Sequence, residues 1–194
     1  MTAPAQVPPA ERPSIGVESG GVESGGVTVH APARIMDLGG WTDTWFARRG
    51  IVCSIAVGPA TTVVAQRRDP AEPPVTTRRS SGPCHWTTPD LPEIAHHPLL
   101  DAAAASVGAV DVSATIGSLV PPGAGLGTSA SVLVALVAAL EALGPDRRAG
   151  GIGRVGPGPD DDVRLAGLAH RAETSTGAQS GVQDQVAAAC GGFL

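Results

Sequence analysis

One stretch limits what this chain can fold into more than any other: Pro121-Pro122-Gly123-Ala124-Gly125-Leu126-Gly127-Thr128-Ser129-Ala130-Ser131. A β-type run precedes it (residues 112–120), and an apolar, helix-type run follows it (132–143). Glycine lets the backbone adopt positive φ and come close to a ligand. The start of a helix offers unpaired N–H groups and the positive end of the helix dipole, and both favour an anion. Thr128 and Ser129 add hydroxyls that can bond phosphate oxygens or sit on a magnesium ion. The same residues would also make an ordinary glycine-rich turn with a serine cap. Strand, glycines, hydroxyls and helix in this order favour the cradle for a nucleotide triphosphate, with Pro122, Gly123, Gly125, Leu126, Gly127, Thr128, Ser129 and Ala130 around it.

The basic residues narrow the chemistry. All 13 are arginines, because the sequence contains no lysine. P-loop nucleotidases, protein kinases and pyridoxal enzymes each need a lysine, so those classes are excluded. Cationic help for a phosphate must come from arginine, metal or backbone. A net charge of −5 argues against nucleic acid as a main partner. Aromatic residues make up only 3% of the chain, so its core must be built from Val, Leu, Ile and Ala. The cysteines, Cys53, Cys84 and Cys190, are odd in number and lack a Cys-x-x-Cys pair. They suit a reducing compartment and small core positions. The longest apolar run, 132–140, is too short to span a bilayer, and no secretion signal is visible. A cytoplasmic location with no membrane partner is expected.

Residues 1–26 read as a disordered tail, with Val17-Glu18-Ser19-Gly20-Gly21 repeated as Val22-Glu23-Ser24-Gly25-Gly26. Residues 27–194 read as one domain. Val27-Thr28-Val29-His30 is strand-like until Ala31-Pro32 breaks it, and the alternation resumes at Arg34. Two further β runs, 51–57 and 61–66, are joined through Gly58-Pro59, which outlines a β-meander. Residues 67–92 hold six prolines and are expected to be irregular, with a short strand near 75–79. His97-Pro98 opens a helix through 99–107. A Gly/Pro-rich loop over 144–159 leads to an acidic helix start at Asp160-Asp161-Asp162 and a helix over 163–174. A last helical piece, 182–190, ends at Gly191-Gly192.

Glu173 near one helix end and Asp184 after a glycine turn are two acids that could fold back toward the cradle. One acid can hold magnesium against phosphates, and the other can orient or deprotonate an attacking hydroxyl. Taken alone, Glu173 also fits a solvated helix face, and Asp184 a helix cap. Arg34 could neutralise charge on a transferred phosphoryl group or hold the base, and it equally fits a surface arginine. Asp43, beside Gly39-Gly40 and Trp41, could accept hydrogen bonds from sugar hydroxyls or simply close a turn. The five histidines show no metal-ligand spacing.

Three of these motifs together resemble the GHMP small-molecule kinases. Pro121 to Ser131 is similar to that family's second motif, with Thr128 in the first hydroxyl position. Ala31-Pro32-Ala33-Arg34 is similar to its first motif, and the segment from Glu173 to Asp184 to its acidic helix-to-glycine segment. Gly39-Gly40-Trp41-Thr42-Asp43-Thr44 and Gln183-Asp184-Gln185 resemble the fucokinase and heptose-7-phosphate kinase branch. The resemblance implies an α+β fold like ribosomal protein S5 domain 2, the N-terminal domain of such kinases. It implies transfer of a phosphoryl group from ATP, with Mg2+, to a sugar hydroxyl. It would make Asp184 the catalytic base with Arg34 beside it, Ser129 and Glu173 the magnesium residues, and Asp43, Gly40 and Trp41 the sugar contacts. Arginine in place of the family's first-motif lysine restricts Arg34 to electrostatics. Family members continue into a ferredoxin-like C-terminal domain with a third glycine-rich motif, which this sequence lacks. A complete kinase is therefore expected to need a C-terminal half from elsewhere. Two other expectations stand beside this one: a non-catalytic nucleotide-binding fragment, and a kinase for another alcohol such as mevalonate or homoserine.

Overall fold

The computed structural model describes residues 16–19, 26–40, 42, 47, 49–68, 84–89, 96–144 and 159–192. It is an α+β domain. The strands are β1 (Gly16–Ser19), β2 (Gly26–Leu38), β3 (Cys53–Arg67), β4 (Cys84–Thr87) and β5 (Val112–Ser118), and the helices are α1 (Pro98–Ser106), α2 (Thr128–Ala142), α3 (Pro159–Ser175) and α4 (Gln183–Cys190). The sheet order is β1-β2-β3-β5-β4, antiparallel throughout except for the β4–β5 pair. That parallel pair is joined through α1, as a parallel connection requires. None of the described helices is long and apolar enough to cross a membrane.

Burial alternates along the strands. Val63 and Ala65 of β3 and Val112, Ala114 and Ile116 of β5 are buried, while Val64, Gln66 and Thr115 are exposed. One face is therefore covered and one is open. The cover is α2, which lies against β2, β3 and β5 and is apolar nearly all round, with Leu133, Val134, Leu136 and Val137 fully buried. α3 and α4 pack on α2 in turn, and α4 also reaches β2 and β3. As the scarcity of aromatics requires, this core is aliphatic apart from Trp86.

Several expectations need correction. Ala31-Pro32 does not end a strand. β2 runs on through it, with register shifts at Pro32 opposite Pro59 of β3, so the two runs expected on either side of Gly58-Pro59 are likewise one strand. Proline lacks an N–H for the ladder, and a bulge lets both strands bend there without ending. Gly16–Ser19 lies within the tail expected to be disordered, yet it forms β1 and pairs with Val27–His30. Part of the proline-rich stretch expected to be irregular is β4, whose four residues are too few to show a period. Trp86 on β4 is fully buried and donates Nε1–H to Asp101 of α1 at 2.7 Å. Of the cysteines only Cys84 is buried; Cys53 and Cys190 are half-buried. The strand expected near 75–79 lies outside the described residues, as does nearly all of the 144–159 loop.

Candidate functional site

The glycine loop is pinned to an edge of β2. Among the described residues β1 pairs with β2 only as far as His30, and the loop meets β2 beyond that point. There the backbone N–H of Arg34 donates to the Leu126 carbonyl at 3.0 Å. Gly123, Gly125 and Gly127 have φ of 82°, 72° and 70°, the left-handed region open to glycine at little cost. Gly127 is the residue from which α2 starts. The first N–H to find an intrahelical carbonyl is that of Ser131, bonded to Gly127 at 2.9 Å. The N–H groups of Thr128, Ser129 and Ala130 therefore face forward from the helix start. A Cβ added at Gly123 or Gly125 would meet nothing within 4 Å. Pro122 and Ser129 are exposed, Leu126 and Thr128 half-buried and Ala130 buried. The Thr128 hydroxyl donates to the Pro121 carbonyl at 3.4 Å. Ser131, at the end of the same stretch, turns inward: its hydroxyl bonds the Ala31 carbonyl and the Thr61 hydroxyl in the core.

Arg34 is not a surface residue. It is 8% exposed, and each of its three guanidinium nitrogens donates a hydrogen bond. Nε and Nη2 donate to the two carboxylate oxygens of Asp184 at 2.7 and 2.9 Å. Nη1 donates to the Gly125 carbonyl at 2.7 Å. This fork fixes the carboxylate in plane, which a lysine could not do. Asp184 is accordingly not a cap; it sits in the first turn of α4, whose dipole favours its charge. Gly127 completes the fit. A Cβ there would lie 3.2 Å from Arg34 Cγ and 3.5 Å from Asp184 Oδ2. The base candidate, the arginine and the helix start thus meet at one point, brought from three distant parts of the sequence.

Glu173 is not on a solvated face. It is 8% exposed, and its Oε2 accepts hydrogen bonds from Ser180 Oγ at 2.7 Å and Gln185 Nε2 at 2.6 Å. Gln185 follows Asp184 on α4, so one helical turn carries one of the acids and a donor to the other. Sequence reasoning gave Ser180 and Gln185 no role; the one available signal was their closeness to Asp184. Gly40 is an exposed turn residue, and the turn is closed by Thr42, whose N–H and hydroxyl both donate to the Gly39 carbonyl. Trp41 and Asp43 lie outside the described residues.

The loop and helix start suit a triphosphate on their own geometry: forward-facing N–H groups, an exposed serine at 129 and glycines at 123 and 125 with nothing within 4 Å of an added Cβ. Among the described residues no three acidic, histidine or cysteine side chains gather as a metal cluster. Magnesium bound with phosphates takes most of its ligands from them and from water, and needs one or two carboxylates from the protein. Glu173 and Ser129 are the residues that would serve it.

Comparison with known proteins agrees with this geometry. The family described as GHMP kinases N terminal domain matches residues 95–192, which hold the loop, Glu173 and Asp184. No curated protein matches the sequence. Among solved structures, the fold is similar to a D-glycero-D-manno-heptose 1-phosphate kinase from Bacteriodes thetaiotaomicron (TM-score 0.60, 19% identity, 86% of this chain and 54% of that one). It is similar to the mevalonate kinase of Methanococcus jannaschii (TM-score 0.60, 13% identity, 90% and 54%). It is also similar to the galactokinase of Lactococcus lactis solved with galactose (TM-score 0.54, 18% identity, 82% and 40%). The chain spans about half the length of these proteins or less. At such identities the likeness speaks for the fold, while the family match covers half of the sequence and all three elements of the site that follow β4. This chain belongs to the GHMP kinase family and carries its N-terminal domain.

Proposed function

We propose that this chain forms the nucleotide-binding part of a kinase that moves a phosphoryl group from ATP to a hydroxyl of a sugar, in the manner of fucokinases and heptose kinases. The observation that carries the reading is the two-toothed Arg34–Asp184 pair, held against both the glycine loop and the start of α2. The N–H groups of residues 128–130 and the hydroxyls of Thr128 and Ser129 bind phosphate oxygens. Asp184 orients the acceptor hydroxyl and takes its proton on the carboxylate; each of its oxygens accepts one N–H from Arg34 and keeps a lone pair for this. Arg34 holds that carboxylate still and supplies positive charge beside the phosphates. Magnesium, when bound, neutralises charge on the phosphates, and Glu173 and Ser129 serve it. Asp43, Gly40 and Trp41 are the proposed sugar contacts. Because the match takes in only 54% of the heptose 1-phosphate kinase and of the mevalonate kinase, we also propose that a C-terminal half completes the acceptor site and excludes water. The cytoplasm, where ATP is abundant, is the proposed location.

The test has two parts. Calorimetry should show ATP binding to the chain that strengthens with Mg2+. ADP release should then depend on acceptor across a panel of deoxy- and heptose sugars, mevalonate and homoserine, with the chain alone and with a supplied C-terminal half. Asp184→Asn should lower turnover by about 100-fold or more with ATP binding retained. Turnover that survives Asp184→Asn would remove the base assignment. Acceptor-dependent release with mevalonate but no sugar would move the substrate class, and no ATP binding would defeat the reading altogether.

A further inference from the structure

Glu173 occupies an expensive place for a negative charge. It lies in the last turns of α3, where the helix dipole disfavours an anion. It is 8% exposed, and no arginine or histidine among the described residues comes within ion-pairing distance of it. Among the described residues its compensation comes from two neutral donors, Ser180 Oγ and Gln185 Nε2, and both bond the same oxygen, Oε2. No donor among the described residues takes Oε1. Gln185 is itself fully buried, and its own Oε1 has no partner. An unpaired buried acceptor is costly, so Gln185 is not placed there for the sake of the core. Among the described residues the partner that orients its amide is Glu173.

We propose that Ser180 and Gln185 are positioning residues: a pair of neutral donors that lock one oxygen of Glu173 so that the other is presented, charged, to the divalent cation of the nucleotide complex. The inference rests on the reading above that Glu173 serves that cation. Neutral donors suit the task because an arginine here would cancel the charge the cation needs. The position of Gln185 directly after Asp184 ties the clamp to the helix that carries the base.

The test uses the full chain and measures ATP affinity by calorimetry, once in EDTA and once in excess Mg2+. Ser180→Ala and Gln185→Leu should leave the metal-free affinity unchanged and reduce the tightening by Mg2+ about tenfold, the usual effect of removing a residue that orients a metal ligand. Ser180→Thr, which keeps the hydroxyl, should restore it. Glu173→Gln should abolish the tightening, and adding Gln185→Leu to it should change nothing more. Ser180 is only half-buried, so Ser180→Ala decides the matter if Gln185→Leu does not fold. Tightening by Mg2+ that is normal in both clamp variants overturns this inference and leaves the proposed function standing. A wild-type chain that binds ATP equally with and without Mg2+ overturns both.

Discussion

Removing Arg34 strands Asp184. In Arg34→Met the carboxylate loses both of its N–H donors while remaining largely out of solvent, its side chain 26% exposed. Breaking one side of a buried ion pair costs about 3–5 kcal/mol, and the partial exposure of Asp184 puts this one near the lower end. The bond from Nη1 to the Gly125 carbonyl is lost as well, adding about 1.5 kcal/mol for a charged donor. The total, roughly 4 kcal/mol, should lower Tm by about 10 °C in a chain of this size. Asp184→Asn leaves a charged Arg34 with poorer acceptors and should cost about 2 kcal/mol. The double variant strands no charge, so it should be more stable than the sum of the two losses by about 2 kcal/mol or more. Urea denaturation of the four proteins, compared at constant m, measures this coupling. Losses that add to within about 0.5 kcal/mol would refute the argument, because independent residues behave that way.

Further expectations concern the loop, the core and the helix start of α3. Gly125→Val forces a β-branched residue to φ of 72°; ATP affinity in calorimetry should fall by more than it does for Ser129→Ala, which removes one hydroxyl. Ser131→Ala should do the reverse, lowering stability by about 1–3 kcal/mol because the buried Ala31 carbonyl and Thr61 hydroxyl lose their shared hydrogen-bond partner, with ATP affinity unchanged. Burial first, and then the charge of Asp161, pushes the Asp162 carboxyl above its ordinary range. A raised carboxyl favours the protonated folded state, so its stability contribution is present at low pH and is lost as pH rises through the folded value. Asp162→Asn should therefore raise Tm at pH 7, and the gain should vanish at pH 3.

The local parts of this protein were legible in its residues. Glycines at 123, 125 and 127 between a β run and an apolar run specify a positive-φ loop feeding a helix, and Pro98 and Asp160 mark where two other helices begin. Those features act over a few residues, through sterics and the dipole, so the sequence alone determined them. Tertiary structure decided the rest. Arg34 and Asp184 are 150 positions apart, and nothing local tells a committed fork from a solvated arginine. Glu173 reads as a solvated helix position until Ser180 and Gln185 close over it, and the core partners of Ser131, at Ala31 and Thr61, are 100 and 70 positions away. Proline at 32 and 59 looks like two strand ends; the two prolines sit opposite each other, and the ladder passes them with a register shift on either side. Which partner a buried polar group finds depends on what the far chain brings to it, and a sequence records that only once it has folded.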